Sequence, residues 1–242
     1  NPFILTCDAA LKGTTSPGIG GYMHTYAWRI ALTSDEVLPI SVLEYVAIAV
    51  NLIEFAALLP RPLDEVELML GSDSDNSVQD LVDLAAKSYD MQYVTLKLRE
   101  LDEFTQLAPN MLVGQIYGEG NPVADAVSRG WWKLIAAYER QLGVKLVWIT
   151  PSARSLAFLD DVRNAHTRRL SAVESSRSTA HSNCDAGDGP SSIGSPLDTP
   201  PRPAARRGVS HHLAATPPAT APRSSGDPLD SPPKRLRLRP QH

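Results

Sequence analysis

Cysteine is nearly absent: Cys7 and Cys184 are the only two in 242 residues, and they lie far apart in sequence and context. That excludes a disulfide scaffold and a cysteine-rich zinc site, and it points to an intracellular, reducing compartment. Long apolar runs are also missing. A membrane span needs about 20 consecutive apolar residues. The richest stretch here, 42–59, is interrupted by Glu44, Asn51 and Glu54 at amphipathic spacing and suits a core helix instead. No signal-peptide pattern opens the chain, and no membrane partner is expected. The start, Asn1-Pro2, lacks an initiator Met, as expected of a piece of a longer translated product. Aromatics vanish after Arg168, large aliphatics thin out, and 12 of the 20 prolines fall between residue 190 and the end. Such a segment cannot bury enough apolar area to offset its conformational entropy, so residues 168–242 are expected to be disordered.

Charge divides at the same place. Residues 1–167 carry 12 basic against 21 acidic side chains, a net −9, and residues 168–242 carry 11 against 6, a net +5. The basic end contains Lys234, Arg235, Arg237 and Arg239. These four read as a nuclear import signal or a sequence-blind phosphate contact, with a solvated tail as the bland alternative. They favour the nucleus over the cytoplasm.

What is present reads as an α/β domain. Phe3–Ala9, Gly18–Thr25 and Tyr26–Leu32 are strands of an antiparallel meander, the third alternating clearly. A long helix is expected over about 40–59, stopped by Pro60 and Pro62. A fourth strand follows over 65–70, a helix over about 75–88, and a helical period over 91–107. Then come a fifth strand over 111–117, a helix from 122 to about 142, a short apolar run over 144–149 and a last helix over 153–166. The order βββαβαβα gives a five-stranded mixed sheet with helices on both faces. The divisions are an α/β domain over 1–150, a short helical extension over 151–167 and the tail.

Four acids fall at comparable places. Asp8 ends the first strand, Glu44 lies early in the first helix, Asp73 ends the fourth strand, and Asp125 is one turn into the helix after the fifth. Read alone, each is a turn acid or a helix-dipole charge. With neighbouring strands one and four, all four can share one edge, where they repel unless a cation joins them. Hard oxygen ligands select Mg²⁺ or Mn²⁺. Gly18, Gly20 and Gly21 do not lead into a helix, so backbone crowding explains them better than phosphate binding. His24 reads as an ordinary strand residue. Trp131-Trp132 reads as core at helical spacing, with base stacking as the alternative.

Four motifs then carry a resemblance: Leu5-Thr6-Cys7-Asp8-Ala9 with Gly18-Ile19-Gly20-Gly21; Val42-Leu43-Glu44-Tyr45-Val46-Ala47; Gly71-Ser72-Asp73-Ser74-Asp75-Asn76-Ser77-Val78; and Gly118–Arg129. The last is similar to the Gly-x-x-Asn-x-x-Ala-Asp-x-x-Ser-Arg signature of retrotransposon ribonuclease H domains, and residues 3–130 resemble that domain of retrovirus-like elements. The resemblance implies the ribonuclease H-like fold and a metal-binding, catalytic tetrad of Asp8, Glu44, Asp73 and Asp125. It further implies two-metal hydrolysis, with two Mg²⁺ or Mn²⁺ ions, of the RNA strand of an RNA–DNA hybrid. The implied partners are that hybrid or another nucleic acid, and a reverse transcriptase domain upstream. Asp73 is favoured over Asp75 because Ser77-Val78 follows it at the family's spacing; Asp75 is read as a helix N-cap. Asn76, Gln115 and Asn121 are candidate substrate contacts, and Asn121 is a candidate N-cap with Pro122 at the first helical position. Many family members carry a His where this chain has Gln115, which cannot shuttle a proton. A ribonuclease H-like fold that has lost catalysis and serves as a nucleic-acid or protein interaction module is the competing reading. A 3′–5′ exonuclease is disfavoured, since Asp8-Ala9-Ala10 lacks the Glu of an Asp-x-Glu pair. The chain has no Tyr-x-Asp-Asp polymerase motif.

Overall fold

The structure, a computed structural model, describes residues 1–11, 16–86, 88–116, 120–182 and 234–235, with 177–182 and 234–235 as backbone only. Three strands open the chain: β1 (Phe3–Ala10), β2 (Gly18–Met23) and β3 (Tyr26–Ala31). They form the expected antiparallel meander, with Asp8 opposite Gly20 and Gly21 opposite Trp28. His24 is not a strand residue. It sits exposed in the β2–β3 turn at φ 59°, since tight hairpin turns demand a positive φ.

The first helix, α1 (Ile40–Ala56), buries every residue from Val42 to Ala56 except Glu44. A helix that is apolar nearly all round must be covered nearly all round. Its two buried polar residues are therefore both spoken for. Asn51 accepts from Trp28 Nε1 (2.8 Å) and donates to the Thr6 carbonyl (3.0 Å). Glu54 Oε1 accepts from the backbone N–H and hydroxyl of Ser152, 2.8 Å each.

After a 3₁₀ turn at Leu63–Glu65, β4 (Leu68–Ser72) pairs parallel to β1. Next come α2 (Asp75–Asp83), α3 (Tyr89–Arg99), α4 (Asp102–Leu107) and β5 (Met111–Gln115), which is parallel to β4. The N-cap of α2 is Ser74, whose hydroxyl accepts from Ser77 N; Asp75 is the first helical residue instead. The helix expected to reach residue 88 stops at Leu84, in the left-handed region at φ 48°. The period over 91–107 is broken where Leu101 caps α4.

The helix expected from 122 to 142 is two helices, α5 (Pro122–Ser128) and α6 (Trp132–Leu142). Gly130 between them has φ +63°, which side chains other than hydrogen rarely tolerate. The apolar run after α6 contains a sixth strand, β6 (Val147–Ile149), parallel to β3. The sheet order is β6-β3-β2-β1-β4-β5, and a two-residue strand, β7 (Lys234–Arg235), lies antiparallel on β5.

The fold is thus a mixed α/β sheet with helices on both faces, in the expected βββαβαβα order plus β6. The core between the sheet and α1 includes Leu5, Trp28, Tyr45, Phe55 and Phe104, and α7 (Ala153–Ser182) adds Phe158, Leu159 and Val162 to it. The opposite face packs Ala27 with Val123, Ala126, Val127, Ile135 and Leu146. The last helix runs on past residue 167, where disorder is expected, to Ser182. It is clasped by Arg163–Glu36 and Arg154–Glu103 pairs and by buried Asp90, which takes both His166 Nδ1 (2.9 Å) and Arg169 Nη2 (2.8 Å). Gly118, Glu119, the expected disorder over 183–233, Arg237 and Arg239 lie outside the described residues.

Candidate active site

Parallel pairing of β1, β4 and β5 puts their C-terminal ends on one edge, the place where open α/β sheets leave a crevice. The β1–β4 ladder closes at Cys7 opposite Ser72. Asp8 and Asp73 are thus the next residues along two neighbouring strands. Asp8 does not end its strand, which continues to Ala10.

From one side, α1 brings Glu44 within a hydrogen bond of the Ser74 hydroxyl. From the other, α5 lies directly on β2. A Cβ on Gly20 would come 2.5 Å from Val127 Cγ1, so the missing side chain permits the approach. That approach carries Asp125 toward the edge. Glu44, Asp73 and Arg129, with Pro39, Ile40 and residues 9–11, line an open pocket of about 470 Å³.

The cluster is strongly coupled. The Asp8 carboxyl is raised from 3.8 to about 7, by burial first and also by the negative charges of Asp73 and Asp125, with the Ser128 hydroxyl and Arg129 pulling the other way. Glu44 is raised by burial and then by Asp73, against the Ser74 hydrogen bond. Asp73 is raised by burial and by Asp125, against a backbone hydrogen bond and Arg129. The fully buried Cys7 thiol is raised by burial first and then by Asp8, Asp73 and Glu44, which makes it inert as a nucleophile.

Two residues of the quoted motif, with no role assigned from sequence, hold these acids. The Ser128 hydroxyl bonds Asp8 Oδ2, and Arg129 Nε bonds Asp125 Oδ1 at 2.6 Å. The position of Arg129 four residues after Asp125 is the helical spacing that makes neighbours and is the signal that finds it, whereas the Ser128–Asp8 bond spans the fold and has no such local signal. Arg29 supports the same corner from β3, with Nη2 to the Ser16 carbonyl (2.7 Å) and Nε to the Ser128 carbonyl (3.3 Å).

The remaining candidates divide. Gln115 Nε2 reaches the Asp73 carbonyl at 3.5 Å, at the site's rim. Asn76 is exposed in the first turn of α2. Asn121 is buried and ties the start of α5 to β1. It occupies the N-cap position of α5, but its side chain does not cap; Nδ2 donates to the Cys7 carbonyl at 3.1 Å.

The donor chemistry fits a hard cation at one point above all. Asp73 Oδ1 is buried and has no hydrogen-bond partner among the described residues. An unmet carboxylate oxygen of that kind costs about 1–3 kcal/mol or more. Yet among the described residues no three His, Cys, Asp or Glu side chains are disposed to hold a metal ion together. Asp8 and Asp125 are instead engaged by Ser128 and Arg129. The Arg129–Asp125 pair is only part-buried, and i,i+4 pairs on a helix surface are worth about 0.3–0.5 kcal/mol.

No family model and no curated protein matches the chain. Solved structures do. The ribonuclease H1 of the halophilic archaeon Halobacterium salinarum NRC-1 is 16% identical, covering 55% of this chain and 98% of its own, with a TM-score of 0.43. LC11-RNase H1, isolated from compost, is 19% identical, covering 55% and 99%, with a TM-score of 0.44. The same enzyme in complex with an RNA/DNA hybrid is 19% identical, covering 52% and 92%, with a TM-score of 0.42.

Proposed function

We propose that the chain is a metal-dependent endonuclease that hydrolyses the RNA strand of RNA–DNA hybrids, as the ribonuclease H part of a retroelement reverse transcriptase. The observation that supports this is that the charges of Asp8, Glu44, Asp73 and Asp125 bear on one another near the edge where β1 and β4 end, with the buried Asp73 Oδ1 unpartnered among the described residues. The four carboxylates would hold Mg²⁺, with Mn²⁺ as a substitute. When bound, the ions supply charge for the scissile phosphate and a more acidic water. The protein's own part is positional. Ser128 fixes Asp8, and Arg129 holds Asp125. Gln115 stands at the rim, where it can accept or donate a hydrogen bond but cannot move a proton. An upstream polymerase domain and a nuclear or cytoplasmic setting belong to the same proposal.

The test is cleavage of a labelled hybrid by the full chain in Mg²⁺ and in Mn²⁺, with Asp73→Asn as control. Cleavage by the wild type and none by the variant supports the reading; an intact hybrid across a full titration of both ions sinks it.

A second reading draws on the Arg129–Asp125 pair and on the absence of a ready metal set among the described residues. Here the fold has lost catalysis and acts as an interaction module. Calorimetry that shows no divalent-ion binding to the folded chain would favour it.

A further inference from the structure

Three tryptophans expected in the core, or not singled out at all, are on the surface. Trp131, Trp132 and Trp148 are 39%, 56% and 41% exposed. Large aromatics left in water together mark a surface that something covers. The left-handed turn at Gly130 is what puts the first two outside: it ends α5 and restarts the helix with Trp132 at its head. Trp148 comes from β6, at the sheet's edge, and its ring meets Trp132 edge to face, centroids 5.3 Å apart and planes at 65°. Each of the first two has a guanidinium over one face, Arg129 on Trp131 at 5.0 Å and Arg29 on Trp132 at 6.0 Å. Arg129 also lines the acidic pocket, so aromatic surface and pocket share one side chain.

The charge of this stretch runs against the rest. Residues 129–145 hold Arg129, Lys133, Arg140 and Lys145 against Glu139 alone, within a region of net −9. Flat rings interleaved with cations suit a polymer that offers flat rings interleaved with anions. An intact duplex hides its base faces and shows only its ends. A single strand presents every face, and stacking on it is tolerant of sequence.

We infer that Trp131, Trp132 and Trp148 form a stacking platform for single-stranded nucleic acid, with the basic side chains of 129–145 holding its phosphates. The platform stands beside the acidic site and does not depend on cleavage there. A strand lying on it enters or leaves the pocket past Arg129.

The experiment uses the full chain in EDTA, where no metal-dependent cleavage occurs, so a silent acidic site leaves it interpretable. Fluorescence anisotropy follows binding of labelled oligothymidylate, oligouridylate and a blunt duplex of equal length. The platform predicts binding of single strands in preference to duplex, with the two single-stranded arms showing which sugar it accepts. It also predicts loss of at least about tenfold in affinity for W132A/W148A and recovery of most of it in W132F/W148F, where rings remain. Circular dichroism confirms that both variants fold. Equal affinity of wild type and the alanine variant overturns the proposal, as does a preference for duplex. So does sedimentation that finds the wild type dimeric and the alanine variant monomeric, since the rings then face a second copy.

Discussion

Arg129 turns back along α5 to hold Asp125, Nε to Oδ1 at 2.6 Å, and so a protein cation already stands among the acids that would take a metal. An ion bound by these acids would compete with Arg129 for one carboxylate, and the positive charge of Arg129 also bears on Asp8 and Asp73. Arg129→Gln releases Asp125 and removes that charge. Calorimetric titration with Mn²⁺ should then show binding several-fold tighter than in the wild type. Equal affinities would mean that Arg129 and the ion do not meet.

Acidity enters through Asp8. Its carboxyl titrates at about 7 in the folded chain and at an ordinary 3.8 without burial. Between those values the folded chain binds more protons than the unfolded one. The stability contributed by Asp8 is fully present below its ordinary value and is lost as pH rises through about 7. Thermal melts in EDTA should fall between about pH 4 and 7 and level off above, and Asp8→Asn should flatten the slope. Added Mg²⁺ should restore most of the loss at the alkaline end if the acids take the ion.

Asn121 fastens the start of α5 to β1 through the Cys7 carbonyl, with both groups buried. Asn121→Ala leaves that carbonyl one donor short and a hole beside it. A loss of about 1–3 kcal/mol is expected in urea unfolding, with hybrid cleavage falling more than stability alone explains because Asp125 loses its placement.

Two glycines have nearly the same backbone and very different surroundings. At Gly130, φ +63°, a Cβ would come 3.3 Å from the Arg29 guanidinium and from Ser16 Oγ; at Gly143, φ +67°, it would meet nothing within 4 Å. Gly143→Ala therefore carries only the left-handed backbone penalty of about 1–2 kcal/mol. Gly130→Ala should cost clearly more, and the difference in chemical denaturation measures the crowding at Arg29.

Much of this was open to reading because hydrophobic patterning sets strands and core. The alternation of Tyr26–Leu32 places Trp28 and Ile30 inward, and both are buried. Topology then brings Asp8 and Asp73 together. What was hidden lies in local backbone choices. Nothing about a leucine announces a left-handed residue, yet Leu84 ends α2 in that way. Gly130 inside an apolar period looks like a tolerated glycine, and only its φ reveals a corner that turns two tryptophans outward. β6 is three residues long and largely exposed, too short to carry a period. Residues 168–182 hold few large apolar side chains in sequence and are helical as the continuation of a docked helix, which composition cannot register.

The bond from Ser152 to Glu54 bears on where a gene could be cut. Glu54 is 7% exposed in the middle of the domain, and the donors that satisfy it come from just beyond β6. A product truncated at residue 150 keeps every strand from β1 to β6 and both halves of the acidic edge. It also keeps a sunken carboxylate stripped of its partners, beside the vacated seats of Phe158, Leu159 and Val162. A product ending beyond Arg169 keeps those partners and the Arg169–Asp90 pair, and is expected to melt at a higher temperature than one ending at residue 150.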